Sequence, residues 1–314
     1  MATAATIGTV AIPEMISRGY DKRFVYGLLA AGGTLGILIP PSIPMIVYGF
    51  VTEQSVIALF LAGIGPGLLL VTFFVIFSVL YAKLSGKFVP VEKAQMEERL
   101  VASWRALPSL VLAIIVIAGL YSGAFTPTEA AAVGFAAALF ITIFWLRTLT
   151  WESFWEAVKE SAITTTAILL IVAGAKVFGK AIALYRIPQD ISAFIAANID
   201  GPLIFILLVS VVLLLMGLVF EALSMILIMT PVLLPAAMGL GFDPIWFGIY
   251  MVIMVECALI TPPVGLNLYV IQAVARTTLA NVARGVWPFL LLMLGAVGVL
   301  YAFPDLALYI PFKW

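Results

Sequence analysis

Apolar residues fill this chain in blocks of about twenty, cut by short clusters of charge, glycine and proline. A bilayer core about 30 Å thick is crossed by roughly 20 apolar residues in a helix. Blocks of that length predict seven spans: 24–52, 57–82, 106–123, 127–147, 161–184, 245–274 and 281–303. Between the fifth and sixth, the pieces 202–218 and 222–237 meet at "LVFEALSM", with Glu221 at the join. Each is short for a crossing, which predicts a re-entrant hairpin that enters and leaves on one face.

Two of the spans are interrupted. In "GILIPPSIPMIVYG" a proline pair, Pro40-Pro41, sits mid-block, and Pro262-Pro263 does the same in 245–274. Proline lacks an N–H and clashes with the carbonyl four residues back. Pro40 and Pro41 therefore free the carbonyls of Gly36 and Ile37, and Pro262 and Pro263 free those of Ala258 and Leu259. An unpaired carbonyl in hydrocarbon costs several kcal/mol, tolerable where it lines a cavity or meets a cation. A hard cation such as sodium suits such oxygens; the plainer reading is a kink in a packed helix.

The two breaks belong to a repeat. A shift of 222 residues lays "ILIPPSIPM" on "LITPPVGLN" without a gap. It also places Val10 on Val232, Pro13 on Pro235, Gly19 on Gly241, Tyr20 on Phe242, Asp21 on Asp243, Gly63 on Gly285 and Pro66 on Pro288. Five span-to-span steps separate the copies, an odd number, so they must be inverted. Inverted repeats with broken helices in matching positions point to a secondary transporter with its site near the midplane. The small or polar residues after each break, Ser42 in one copy and Gly265 and Asn267 in the other, fit that reading.

Charge orients the spans. If the chain enters the first span from the cytoplasm, cytoplasmic segments hold Arg18, Lys22, Arg23, Lys83, Lys87, Lys93, Arg99, Arg105, Arg147, Lys159, Arg276 and Arg284, twelve of the sixteen Lys and Arg. By the positive-inside rule this puts the C-terminus in the periplasm. The polar stretch 83–105 reads as a partly helical cytoplasmic loop. "LTWESFWEAVKES" and "LYRIPQDISAFIAANIDG" read as amphipathic pieces flanking the fifth span, as helices in the interface or as solvated connectors. The repeat and spans divide the chain into 1–105, 106–160 and 161–314.

Composition narrows the function. With 64% hydrophobic and 10% charged residues the chain is an all-α polytopic membrane protein. Zero net charge offers no basic face for nucleic acid. One cysteine, Cys257, excludes an internal disulfide, and the absence of histidine argues against a metalloenzyme or a Ser-His-Asp hydrolase. "GAKVFGKA", Gly174 to Ala181, mimics a phosphate-binding loop but ends in Ala where Ser or Thr should stand, and it lies within a predicted span. Lys176 and Lys180 share a helix face near the outer end of that span, suited to snorkelling. Glu256, inside a span, is a candidate sodium ligand, proton carrier or ion-pair partner, with a structural hydrogen bond as the alternative. Ser42, Glu221 and Ser224 are candidate substrate contacts, Glu221 because a hairpin tip should reach the midplane.

Three stretches carry a resemblance: "AAGGTLGILIPPSIPMIVYGFVTEQS", "FEALSMILIMTPVLLPAAMGLGFDPIWFGI" and "LITPPVGLNLYVI". They resemble the large membrane subunit of TRAP transporters, the tripartite ATP-independent periplasmic family, over essentially the whole chain. The resemblance implies an inverted-repeat, elevator-type carrier in which re-entrant helical hairpins and broken helices move together. It implies Na+-driven import of an organic anion, such as a C4-dicarboxylate, a sialic acid or a related carboxylate, across the inner membrane. A periplasmic binding protein would deliver the substrate, and a small four-helix membrane subunit would complete the complex. It places one sodium site at Gly32, Gly33, Thr34, Gly36 and Pro40, and a second at Thr261, Pro262, Gly265 and Asn267, with the hairpin tip around Glu221. Relatives often carry hydroxyl or thiol side chains where this chain has Gly32 and Gly33, leaving main-chain oxygens there. Family members also extend upstream, so the chain is expected to begin at the second arm of the first hairpin, Ala2 to Met15, as a fragment or a mis-assigned start. The rival reading is a channel-like or structural membrane subunit without coupled transport.

Overall fold

In the computed structural model, residues 2–85, 95–199 and 201–313 are described, and every regular element among them is helical. Lys87 and Lys93 of the expected polar loop lie outside the described residues. The first repeat comprises α1 (Ala2–Ser17), α2 (Lys22–Gly32), α3 (Leu35–Leu38), α4 (Ile43–Thr52) and α5 (Val56–Leu84). Next come α6 (Met96–Tyr121), α7 (Pro127–Phe140) with a π turn at Ile141–Trp145, α8 (Trp151–Leu184) and α9 (Ile187–Asn198). The second repeat follows as α10 (Pro202–Met216), α11 (Ala222–Gly239), α12 (Pro244–Ile260), α13 (Leu266–Ala275) and α14 (Leu279–Ala302), and α15 (Asp305–Lys313) ends the chain. Six helices are long and apolar enough to cross a membrane, or seven with the bent pair formed by Lys22–Leu38 and Ile43–Thr52, which turns by 42°. The chain is a polytopic membrane protein.

The chain forms two compact units, residues 1–89 with 175–314, and residues 90–174. Both repeats lie in the first, with the most deeply buried helix, α12, at its core. In the second, α6 packs against α7, and Trp104 meets Trp145 at 6.1 Å between ring centroids. Its helices are mostly exposed and apolar, the surface that lipid or other membrane helices cover.

Local chemistry repeats with the sequence. Asp21 caps α2 by accepting from the N–H groups of Arg23 and Phe24 at 3.0 and 3.2 Å. Asp243 caps α12 through Ile245 and Trp246 at 2.8 and 3.1 Å. The turns before them hold Gly19 and Gly241 at φ of 83° and 89°, a conformation that favours glycine. Both proline pairs contain a cis peptide bond.

Packing is reciprocal, as a two-fold relation requires. α2 packs on α14 and its equivalent α12 on α5; α1 packs on α13 and its equivalent α11 on α4. Named contacts give the directions. The start of α2 lies at the start of α14: Phe24 meets Phe289, and the backbones touch where Gly27 faces Gly285, so that a Cβ on either would overlap the other helix. The start of α12 lies at the end of α14, where the Trp246 indole N–H donates to the Leu300 carbonyl at 3.2 Å. Equivalent helices therefore start at opposite ends of one reference helix, as inversion requires. The Tyr48 hydroxyl, donating to the Pro244 carbonyl at 2.7 Å, ties the end of α4 to the start of α12.

Some elements differ from expectation. The stretch 151–161 does not form a separate interfacial helix; it is the first part of α8, whose 34 residues extend about 51 Å. No proline or turn residue stands there to break the helix, so charge alone marks where a bilayer face would fall. Gly174 to Ala181 lies inside this continuous helix, which offers no loop to cradle phosphate. α6 begins at Met96, ten residues ahead of the predicted span. α11 runs to Gly239, two residues farther than predicted, about 27 Å, whereas the 15 residues of α10 extend about 22 Å.

Candidate functional site: two facing helix breaks

Both breaks border α12. α3, which ends at the first break, packs against α12, which ends at the second. The tip of the α10–α11 hairpin closes on the end of α12, beside the second break: a Cβ on Gly217 would fall on the side chain of Ala258.

At the first break, α3 stops at Leu38 and α4 starts after Ser42, whose hydroxyl accepts from the Met45 N–H at 3.4 Å. Among the described residues no donor reaches the Gly36 or Ile37 carbonyls, as the prolines dictate. Thr34 and Ser42 are buried, and the Thr34 hydroxyl donates to the Ala31 carbonyl at 2.8 Å, leaving its own oxygen lone pairs available. The glycines differ. Gly33 is packed on α1, where a Cβ would stand 2.6 Å from that of Ala4; Gly32 borders open space.

At the second break one expectation is corrected. The Ala258 carbonyl is not free, because the Thr261 N–H reaches it at 3.2 Å, one residue short of the helical register that Pro262 blocks. The Thr261 hydroxyl also turns back, to the Cys257 carbonyl at 2.7 Å. The Leu259 carbonyl remains without a donor and lies 3.0 Å from where a Gly265 Cβ would be. Gly265 thus meets two demands, this approach and a φ of 40°. Asn267, in the first turn of α13, is fully buried with neither amide atom hydrogen-bonded.

The orphaned buried polar atoms extend beyond Asn267. Both carboxylate oxygens of Glu256, the Thr230 hydroxyl and the Gln272 amide oxygen lack partners among the described residues. They lie on α11, α12 and α13, and α12 packs on both neighbours. The Ser78 hydroxyl, on α5, is a further one, and each such group costs about 1–3 kcal/mol when left unsatisfied. Among the described residues Glu256 meets neither the lysine nor the structural hydrogen bond considered for it, and it is the repeat equivalent of Thr34. Thr230 and Gln272 escaped sequence reasoning. A single polar residue in an apolar helix is orphaned only by its neighbours in space, and the one hint was the Thr-Pro step at 230–231.

Glu221 is the N-cap of α11: one carboxylate oxygen accepts from the Ser224 N–H at 2.8 Å and from its hydroxyl at 3.0 Å. That places Glu221 and Ser224 together at the hairpin turn. Lys176 lies over the Phe50 ring, 4.5 Å from its centroid, a cation–π contact that sequence reading did not anticipate. The oxygens around the breaks are neutral carbonyl, hydroxyl and amide groups, with Glu256 the one buried carboxylate among the described residues. Such a set fits a hard, weakly charged cation.

Comparison with known proteins gives a family match over residues 1–306, to "Tripartite ATP-independent periplasmic transporter, DctM component". The C4-dicarboxylate TRAP transporter large permease protein DctM of Pseudomonas aeruginosa is 39% identical over 310 residues, 99% of this chain and 72% of that protein. The sialic acid TRAP transporter large permease protein SiaM of Vibrio cholerae is 36% identical, covering 99% and 73%. The 2,3-diketo-L-gulonate TRAP transporter large permease protein YiaN of Escherichia coli is 34% identical, covering 100% and 73%.

Proposed function

This chain belongs to the DctM component family of tripartite ATP-independent periplasmic transporters, a family of transport subunits and not of enzymes, and we propose that it imports an organic anion coupled to sodium. The observation that carries this reading is the pair of inverted helix breaks, with buried oxygens that no donor in the chain satisfies. The Gly36 and Ile37 carbonyls and the Thr34 hydroxyl oxygen would hold one Na+; the Leu259 carbonyl and the Asn267 amide oxygen would hold the second. Bound sodium supplies positive charge that the neutral lining lacks. The start of α13 adds the positive end of a half-helix dipole, the arrangement that receives carboxylates in transporters with broken helices.

Relatives named for C4-dicarboxylate, sialic acid, 2,3-diketo-L-gulonate and isethionate support an organic anion as the substrate. Family membership supports a small membrane subunit and a periplasmic binding protein as partners in a bacterial inner membrane. The Lys/Arg distribution supports a periplasmic C-terminus. The breaks and the hairpin would move together as an elevator, carrying the site between the two faces.

Uptake of labelled carboxylates into proteoliposomes, with the partner subunits present, tests this. Saturable uptake that requires both an inward sodium gradient and the binding protein is expected. Non-saturating flux that needs neither would replace the carrier with a channel.

A further inference from the structure

Far from the Tyr48–Pro244 contact, the start of α2, the end of α5, the end of α13 and the start of α14 converge. Three recesses open there. One of about 270 Å³ is bordered by Arg23, Phe24, Tyr81 and Arg284. A second of about 520 Å³ is bordered by Lys22, Arg23, Arg276 and Asn281, and shares Asp21 and Arg23 with the first. The third, about 450 Å³, is an apolar groove along α2 and α5 lined by Leu28, Val79 and Ala82, with Tyr20 and Lys83 at its edge; it shares Phe24 with the first. A basic recess thus continues into an apolar one.

Among the described residues cations outnumber carboxylates here. Lys22, Arg23, Arg276 and Arg284 face one carboxylate, Asp21, which caps α2, and no salt bridge joins the four cations to a described residue. Two elements come from each repeat, so a ligand here bridges the halves where the backbones of Gly27 and Gly285 touch. All five basic residues fall on the face that the Lys/Arg distribution assigns to the cytoplasm, where anionic lipid headgroups lie.

We propose that this junction binds an anionic phospholipid of the inner leaflet, its phosphate held by Arg23, Arg276, Arg284 and Lys22 and one acyl chain laid in the groove beside Leu28, Val79 and Ala82. Guanidinium groups suit phosphate because they donate in pairs. A soluble phosphate would use the cations but leave the adjoining groove unfilled, which favours the lipid.

The test uses the full-length transporter, purified with its partner membrane subunit and delipidated, with lipid retention read by native mass spectrometry and melting temperature read in parallel. Phosphatidylglycerol is expected to be retained roughly 700-fold over phosphatidylethanolamine, as about 1 kcal/mol for each of the four cations implies. Glycerol 3-phosphate at equal concentration is expected to leave the melting temperature unmoved. The double variant Arg23→Gln/Arg284→Gln should lower the preference by roughly 30-fold, on the same value per cation. Leu28→Trp, which fills the groove and keeps every cation, should also lose retention, while Arg99→Gln on another segment should not. Should the double variant fail to fold, Arg276→Gln and Leu28→Trp carry the test. Equal retention of the two lipids, an undiminished preference in these variants, or stabilisation by glycerol 3-phosphate matching that by the lipid would overturn the proposal.

Discussion

Asn267 is buried with both amide atoms unpartnered, in the first turn of the half-helix that follows the second break. On the proposed reading its oxygen meets sodium, so Asn267→Ala should raise the sodium concentration for half-maximal uptake by roughly tenfold, the value of one bond to a charged group. Unchanged sodium dependence would remove Asn267 from the site. Thr261 differs, since its hydroxyl proton is committed to the Cys257 carbonyl. Thr261→Ser should therefore keep near-normal sodium dependence, while Thr261→Ala disturbs the end of α12. The glycines divide in the same physical way. Gly27→Ala drives a methyl into the Gly285 carbonyl and should cost about 1–3 kcal/mol, read as a lowered melting temperature. Gly32→Ala meets open space and should change stability by less than about 0.5 kcal/mol. At this scale the sequence showed where backbone had to be released, because proline chemistry is local. It could not show that Thr261 recaptures the Ala258 carbonyl, nor that Thr230 and Gln272 are left unpaired, because both depend on three-dimensional neighbours.

Helix ends follow rules that a sequence does display. Asp21 and Asp243 each stand at the start of a helix after a glycine turn, and each accepts two backbone N–H groups. Asp243→Ala should destabilise the transporter by about 1 kcal/mol, with Asp243→Ser recovering most of the loss. A thermal melt of the three proteins in one detergent checks this; equal melting temperatures would show that α12 does not need its cap. Helix lengths were harder to read. Charged residues between Glu152 and Glu160 suggested an interfacial helix apart from the fifth span, yet α8 passes through them unbroken. Charge marks the depth at which a helix leaves the bilayer, whereas only proline, glycine and capping residues stop it, and none stops α8 there. The reverse holds at α12 and α13, where an apolar block of spanning length is cut by Thr261 to Gly265.

Across the whole molecule the repeat organises both packing and chemistry. Phe24 and Trp246 are equivalents, each buried in the first turn after its Asp cap; Phe24 stacks on Tyr81 of α5 at 4.4 Å, and Trp246 bonds the end of α14, the helix equivalent to α5. Inversion was legible because Gly, Pro and Asp recur at one shift and the count of crossings is odd. The packing of α3 and of the hairpin tip on α12 was not, since nothing in the order of residues places them there. The account rests on the halves crossing in opposite directions, so that equivalent positions lie on opposite faces. Arg18 and Leu240 are such a pair beside their glycine turns, Arg18 exposed and Leu240 half-buried. The direct measurement places a single cysteine at each, with Cys257 replaced, and labels intact spheroplasts and inverted vesicles with a membrane-impermeant maleimide. Arg18→Cys should label from the cytoplasmic face alone and Leu240→Cys from the periplasmic face alone; labelling of both from the same face would contradict the inverted arrangement and the transport reading built on it.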